Sequence, residues 1–598
     1  MSKAMVVRGL QSLAGVRLCI GIVQGVALCL LFGAAETGGW PASNGLIFAP
    51  LLLVACFVPL IVIFGLGNMR DRTLIAWAIA AAVLVAGLAL HDASRAANAD
   101  NWSLWQFFGG GQGLRIWPSP TLVIFTSVAL FIAQSLVVAS DGDRAAIAAY
   151  PLYFDAAWKH AVEAASAAVS VGLLCLLLTL GAALFKLMGI ALFSEPTQAR
   201  WFTLPMTMLT LGGAVHVADA SAGILHSMRG RLLLLLSWLL PPMMLFVAGL
   251  LAILAFTGLT LWSTHFTTGL LLATTAALIL LINATYHDGL PEHEPPRVLR
   301  HAASIAALML TPLVAIAGYG LTLRVAQYGW TAERIIATAC IVVAACYALC
   351  YAAAAIWGGA WLRQIAPCNI AAAFLVLAML FALSTPIADP VRLTVLDQLA
   401  RLDSGAVPAD EFDFAYLRFK GARYGAAVLD RLKARNRGAD AVTIRRRARE
   451  ALAMTSGQPA PLVALTPADL TAKLKVFPRG HKLPASFLQQ DWSKFKSWEV
   501  PHCLVDSSAE CDAFLVDLNG NGRDEVIIDD HTQMIVMTAD AKGTWSRVGH
   551  LVGRGQCSKV TQALRAGKFE AEAPQWSDLK VGDARLEVIG PLAIGDCP

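Results

Sequence analysis

Oxygen-bearing side chains recur at alternate positions in Asp517-Leu518-Asn519-Gly520-Asn521-Gly522-Arg523-Asp524-Glu525. Asp517, Asn519 and Asn521 offer side-chain oxygens, Arg523 a backbone carbonyl and Glu525 a carboxylate. Such a set can wrap one hard cation; Ca²⁺ takes roughly six to eight oxygens. Gly520 and Gly522 permit the tight turn. Two inner ligands are amides, which lowers the charge offered to a metal. A Ca²⁺ loop and a metal-free turn of Asx residues are therefore both open. With no Glu at position 12 and no flanking helices, it is not an EF-hand.

A second set of candidates lies inside apolar stretches, where polar and ionisable groups are costly and so point to function. These are Lys186, His216, Asp219, Asn283, Tyr286 and Asp288. His216 and Asp219 are three apart and share a helical face. A proton or ion path through them stands beside a plainer reading, in which they pair within the bundle and Lys186 snorkels. A third set is Cys503, Cys511, Cys557 and Cys597 in the polar tail. An even number suits disulfides in an oxidising compartment. Three pairings are open, and the sequence-near 503–511 and 557–597 are the expected ones.

The elements that must position these groups are mostly membrane spans. The chain has 598 residues, 57% hydrophobic and 15% charged, against roughly 25% charged in a soluble protein. Of the 46 Lys and Arg, 18 precede Thr385, as do 14 of the 41 Asp and Glu. The chain is thus an apolar body with a charge-balanced tail. About eleven spans are expected: 14–34, 46–67, 73–91, 120–139, 162–186, 202–221, 231–257, 267–286, 299–322, 335–357 and 366–384. The least apolar is 202–221, and Pro241-Pro242 breaks 231–257. With the N-terminus inside, inner loops hold eleven basic residues and outer loops five. That places the N-terminus in the cytoplasm. An odd number of spans then puts the tail in the periplasm of a bacterial inner membrane. The basic run 431–449 argues against this, though long domains translocate largely regardless of charge.

Aromatic residues of loop 92–119 and of 150–159 read as segments resting at the membrane interface. The tail reads as a helical stem, 385–500, and a β unit, 501–598. In the stem, Pro408-Ala409-Asp410-Glu411 opens a helix carrying Phe412, Tyr416, Phe419, Tyr424 and Leu429. Another helix covers 440–454, and Thr466-Pro467 starts one more. Period-two runs at 514–518, 525–530, 533–540 and 545–552 predict a β-meander, with a strand pair around Gly582-Asp583. The fold class is an α-helical polytopic membrane protein with a C-terminal soluble α+β region.

Two resemblances follow from these residues. The 517–525 loop, in its hairpin, resembles the calcium loops of FG-GAP repeats, which implies bound Ca²⁺; one copy does not support a propeller. Leu281-Ile282-Asn283-Ala284-Thr285-Tyr286-His287-Asp288-Gly289, Arg324-Val325-Ala326-Gln327-Tyr328-Gly329-Trp330-Thr331 and Leu399-Ala400-Arg401-Leu402-Asp403-Ser404-Gly405 come in order. Phe412-Asp413, Tyr416-Leu417-Arg418-Phe419 and Arg423-Tyr424-Gly425 follow. Together, over about 150–435, these resemble the bacterial family of domain of unknown function 4153. His287 departs from the glutamine expected there. The resemblance implies a multi-span membrane protein without assigned activity.

The charged residues beyond the last span, Asp397, Arg401, Asp413, Arg418 and Arg423, are expected to dock the stem on Arg324 or Arg334. No HExxH, Walker A, GxSxG or CxxC pattern occurs. Loop 35–45 holds Glu36 as its one acid, which disfavours a lipid-linked sugar transferase. Two function classes remain: a transporter or channel-like protein, and an envelope sensor or assembly scaffold. The tail of the latter would bind a protein or small molecule. The lipid bilayer is the expected partner, and nothing points to nucleic acid.

Overall fold

The computed structural model describes residues 3–95, 117–187, 199–257, 267–290, 292, 294–357, 364–438, 440–454, 465–477, 480–492, 495, 500–505, 511–529, 534–540, 543–551, 563–569, 571, 579–581 and 584–586. Most of loop 92–119, with its glycine run, lies outside them, as do Cys557 and Cys597. The chain forms two compact units, Met1–Leu452 and Ala453–Pro598, so the stretch 385–500 is shared between them.

Long apolar runs make the first unit helical. Its helices are α1 (Lys3–Thr37), α2 (Gly45–Gly65), α3 (Asp71–Arg95), α4 (Pro120–Asp143), α5 (Tyr150–Leu187) and α6 (Arg200–Ala220). Then come α7 (Ala222–Thr257), α8 (Thr267–Tyr286), α9 (Arg297–Tyr328), α10 (Ala332–Trp357) and α11 (Ile365–Leu383). Among the described residues, 10 helices are long and apolar enough to cross a membrane. The protein is a polytopic helical membrane protein with a small C-terminal sheet region.

The expected span 202–221, seen as α6, is not among those 10; its threonines, His216 and Asp219 make it more polar. It nevertheless runs antiparallel along α1. Arg200 pairs with Glu36 at one end and Asp219 with Arg17 at the other. Between them the backbones nearly touch. A Cβ on Gly21 would stand 2.5 Å from the Met208 carbonyl oxygen, and one on Gly25 would overlap Pro205. Gly21-x-x-x-Gly25 thus forms a small-residue seam of the kind that lets membrane helices approach closely. At 1.5 Å per residue, Arg200 to Asp219 spans about 30 Å, the thickness of a hydrocarbon core.

Two expectations needed correction here. Pro241 and Pro242 do not break their span: α7 is one continuous helix through both. Neighbouring helices commonly tolerate proline within membrane helices, and Leu240 is fully buried in the α7–α10 core. The aromatic segment 150–159 is not laid on an interface. It forms the first turns of α5, with Tyr153 and Phe154 buried.

The stem helices of the first unit are α12 (Pro390–Asp403), α13 (Phe414–Phe419), α14 (Ala422–Leu432) and α15 (Ala441–Ala453). The single helix expected from Pro408 is two. Asp413, not the Pro408 segment, caps α13 by accepting the Tyr416 N–H at 2.8 Å. The chain then turns at Lys420-Gly421 into α14. Phe412, Phe414, Leu417, Leu429 and Leu432 share a core with Ile444 of α15. Burial raises the Tyr416 phenol above its ordinary range, only partly offset by a bond with Thr394.

In the second unit, α16 (Pro467–Lys473) carries the expected cap as a full capping box between Thr466 and Asp469. Those bonds hold the Asp469 carboxyl below the usual carboxylate range. The sheet runs β1 (Leu474–Phe477), β2 (Cys511–Val516), β3 (Glu525–Asp529), β4 (Met534–Ala539), β5 (Trp545–Leu551). The meander β2–β5 is antiparallel as expected, whereas β1 pairs parallel to β2 at the edge, in a stretch expected to be stem. Alternate residues feed two cores: Ala513, Val526 and Ile535 on one face, Phe514, Ile527 and Val536 on the other. A short pair, β6 (Leu579–Val581) and β7 (Ala584–Leu586), matches the expected hairpin. A disulfide joins Cys503 to Cys511.

The seam makes a measurable prediction. Gly25→Leu should lower the thermal unfolding midpoint of the detergent-solubilised protein, at a cost of about 1–3 kcal/mol from overpacking. Gly33→Leu on the same helix, where nothing lies within 4 Å, should leave it nearly unchanged. Equal losses at both positions would sink the seam.

Candidate functional site

The α1/α6 pairing ends in a buried charge cluster. Arg17 is only 1% exposed although it carries a guanidinium. Its Nη2 donates to Asp219 Oδ2 at 2.8 Å and to the Leu66 carbonyl, in the α2–α3 turn, at 2.6 Å. Asp219 Oδ1 accepts from Lys159 Nζ of α5 at 2.6 Å. Lys159 also donates to Asn68 Oδ1 at 2.6 Å. A single carboxylate thus neutralises two cations from two helices.

Glu163, one turn beyond Lys159, is the fourth charge. It is fully buried, lies 3.6 Å from Lys159 Nζ, and neither of its oxygens accepts a hydrogen bond. Burying a carboxylate without a donor costs several kcal/mol in general terms. Asp219 occupies both cations at shorter range. His160, on the same face of α5, bonds Ser135 Oγ of α4 through Nδ1 at 3.2 Å, and its Nε2 is buried without a partner. His216 lies one turn before Asp219, with a buried, unpartnered Nδ1.

Of the residues singled out from sequence, Asp219 belongs to this cluster and His216 borders it. Lys186 is near the end of α5, and its side chain lies outside the described part. Asn283 is elsewhere, in a ring of hydrogen bonds between α8, α10, α11 and α5. It donates to Tyr351 Oη at 2.8 Å, Tyr351 donates to Asn369 Oδ1 at 2.6 Å, and Asn369 donates to Asn283 Oδ1 at 2.6 Å and Tyr150 Oη at 3.0 Å. Tyr286 packs on Tyr150, with centroids 5.9 Å apart. Asp288 closes the turn after α8 by accepting the Leu290 N–H at 3.1 Å.

Sequence reading missed Arg17, Lys159, His160 and Glu163. Arg17 and Glu163 fell within expected spans as lone charges, and that alone marked them. Their long-range partners were invisible, and Lys159 passed as a loop cation.

The stem is docked on the turn between α9 and α10. Asp397 Oδ2 accepts the Trp330 N–H at 2.8 Å, and Arg401 donates to the Gln327 carbonyl at 3.3 Å. Arg334 donates to the Gly329 carbonyl from the other side. The backbone of the α9–α10 turn is the receptor, because a tight turn exposes its own polar groups. Farther along, Arg95 lies between Asp92 and Asp389, and Asp389 caps α12 through the Val391 N–H at 3.0 Å.

In the 517–525 loop, Asp517 accepts the Asn521 and Gly522 N–H groups, and Asn521 accepts that of Arg523. Glu525 is buried and accepts from Leu518 N, Asn519 Nδ2 and Thr538 Oγ1. Gly520 and Gly522 both have positive φ, as the turn requires. The loop is folded by its own bonds, and its Asp and Asn oxygens retain lone pairs for a cation.

Asp219→Asn tests the cluster. It removes the charge shared by Arg17 and Lys159 and should cost about 3–5 kcal/mol, as for one partner of a buried pair. Adding Arg17→Met should recover part of that loss in thermal unfolding. Strictly additive losses would show that the two do not interact.

A family model described as domain of unknown function 4153 matches residues 21–432, well over half of the chain. The match begins earlier than the 150 expected from sequence. No curated protein and no solved structure matches.

Proposed function

The chain belongs to the family of domain of unknown function 4153, and we propose that it moves protons, or a cation coupled to them, across the membrane. The observation that carries this reading is Glu163: fully buried, unbonded and 3.6 Å from Lys159. In this reading Glu163 is the group that loads and unloads. When it is protonated, Lys159 is left to Asp219 and Asn68 alone. When it is ionised, Lys159 is drawn between two carboxylates. His160 lies one turn before Glu163 on α5, and His216 one turn before Asp219 on α6.

The test is flux. Purified protein in liposomes holding a pH-sensitive dye should dissipate an imposed proton gradient, and Glu163→Gln should abolish this while leaving thermal unfolding nearly unchanged. Wild-type flux no greater than that of empty liposomes, or unaltered flux in the variant, refutes the role.

A second reading, an envelope sensor or scaffold, is favoured by the Cys503–Cys511 disulfide, which suits an oxidising compartment. We place the N-terminus in the cytoplasm of a bacterial inner membrane and the second unit in the periplasm. This orientation requires α6 to cross as the eleventh span, and its full-length run along α1 supports that. A reporter active only in the periplasm, fused after Pro598, should be active; an inactive fusion reverses the topology. We also propose Ca²⁺ on Asp517, Asn519, Asn521, the Arg523 carbonyl and Glu525. Added Ca²⁺ should raise the unfolding midpoint of the whole protein, and Asp517→Ala should remove the rise. No rise in the wild type ends the metal assignment.

A further inference from the structure

A cleft of about 550 Å³ opens where the start of α3 meets the end of α4 and the flank of α11. Its lining is graded. At the helix ends stand Arg70, Thr73, Ser140 and Arg144. Deeper are Leu136, Val137 and Phe374. Leu136 lies about 10 Å down α4 from Asp143, and Phe374 about 14 Å down α11 from Ile365, at 1.5 Å per residue. A polar mouth over an apolar floor of that depth fits an amphiphile rather than a free solute.

The charge of the mouth selects the head group. Asp141 is held by the Arg70 N–H and Nε, each at 2.8 Å, and by Thr73 Oγ1 at 2.6 Å. That leaves the carboxylate largely occupied and almost wholly shielded from solvent, while Arg70 remains 63% exposed. The pairing raises the Arg70 pKa further, so it stays a cation. Arg144 has no ion-pair partner among the described residues and is exposed. It stands at the left-handed C-cap of α4, φ 55°, a position that favours glycine. Counting Asp141, the mouth carries a net positive charge. Arginine forks match phosphate oxygens, and basic groups at the membrane surface attract anionic lipid.

We infer that this cleft binds an anionic phospholipid, its phosphate on Arg144 and Arg70 and an acyl chain along Val137 and Phe374. The assignment does not depend on proton transport.

The test uses full-length protein, delipidated in neutral detergent. Phosphatidylglycerol should raise its unfolding midpoint and remain bound in native mass spectrometry; phosphatidylcholine and inorganic phosphate should do neither. Arg144→Gln, which breaks no ion pair among the described residues, should weaken retention about five- to tenfold, from about 1 kcal/mol per basic group at a membrane surface. Ala146→Glu, at the exposed rim, should do the same by repulsion. Equal effects of phosphatidylcholine would overturn the head-group assignment. Equal effects of inorganic phosphate would overturn the lipid. Retention unchanged in both variants would remove the site.

Discussion

A guanidinium cannot rest inside an apolar bundle unless something neutralises it. Arg17 is that guanidinium, and Asp219 is its counter-charge. Much else in the first unit follows from their meeting. The pair pins the end of α6 to the start of α1, and Glu36 with Arg200 pins the other ends. Between the pins, glycines remove the side chains that would hold the helices apart. A helix too polar to be counted as a span by composition is thereby laid along one that is. Lys159 then joins α5 to the same carboxylate, and Leu66 and Asn68 bring in the α2–α3 turn.

The cost of that arrangement falls on Glu163. Asp219 has two cations to serve, so the second carboxylate is left with a distant one. In a medium of low dielectric, a buried carboxylate without a hydrogen-bond donor is costly. The α7–α11 side of the bundle solves its polar problem differently. Asn283, Tyr351, Asn369 and Tyr150 satisfy one another in a ring without net charge. Neutral amides and phenols carry no large desolvation penalty and need only complete hydrogen bonding. One side therefore stores charge, and the other rigidifies.

At the opposite ends of the helices the logic is backbone recognition. Asp397 and Arg401 of α12 grip carbonyls and an N–H of the α9–α10 turn, and Asp389 both caps α12 and holds Arg95 of α3. Acidic residues beyond a last span look from sequence like partners for nearby arginines. Asp397 also accepts the Trp330 N–H, a group the turn fixes in place.

Hydropathy alone determined that the chain is a helical membrane protein. Roughly 20 apolar residues in a row have no other stable place, and backbone groups in lipid must bond within a helix. Period-two alternation likewise revealed the meander, and Thr466 and Asp469 revealed their cap, since these are local effects. Cys503 and Cys511, at a sequence separation of 8, were close enough to pair by proximity. Tertiary structure decided the rest. Asp219 was legible as a costly residue, but its partner lies 202 positions away, a distance no local pattern encodes. The seam of Gly21 and Gly25 was written in the chain, yet only packing against Pro205 and Met208 gave it meaning. The continuity of α7 through two prolines also came from its neighbours. The oxygen-rich opening of the chemistry, the 517–525 loop, was legible as a turn because its glycines and Asx residues act locally. What the cluster around Glu163 can do depended on three helices converging, and convergence is a property of the fold.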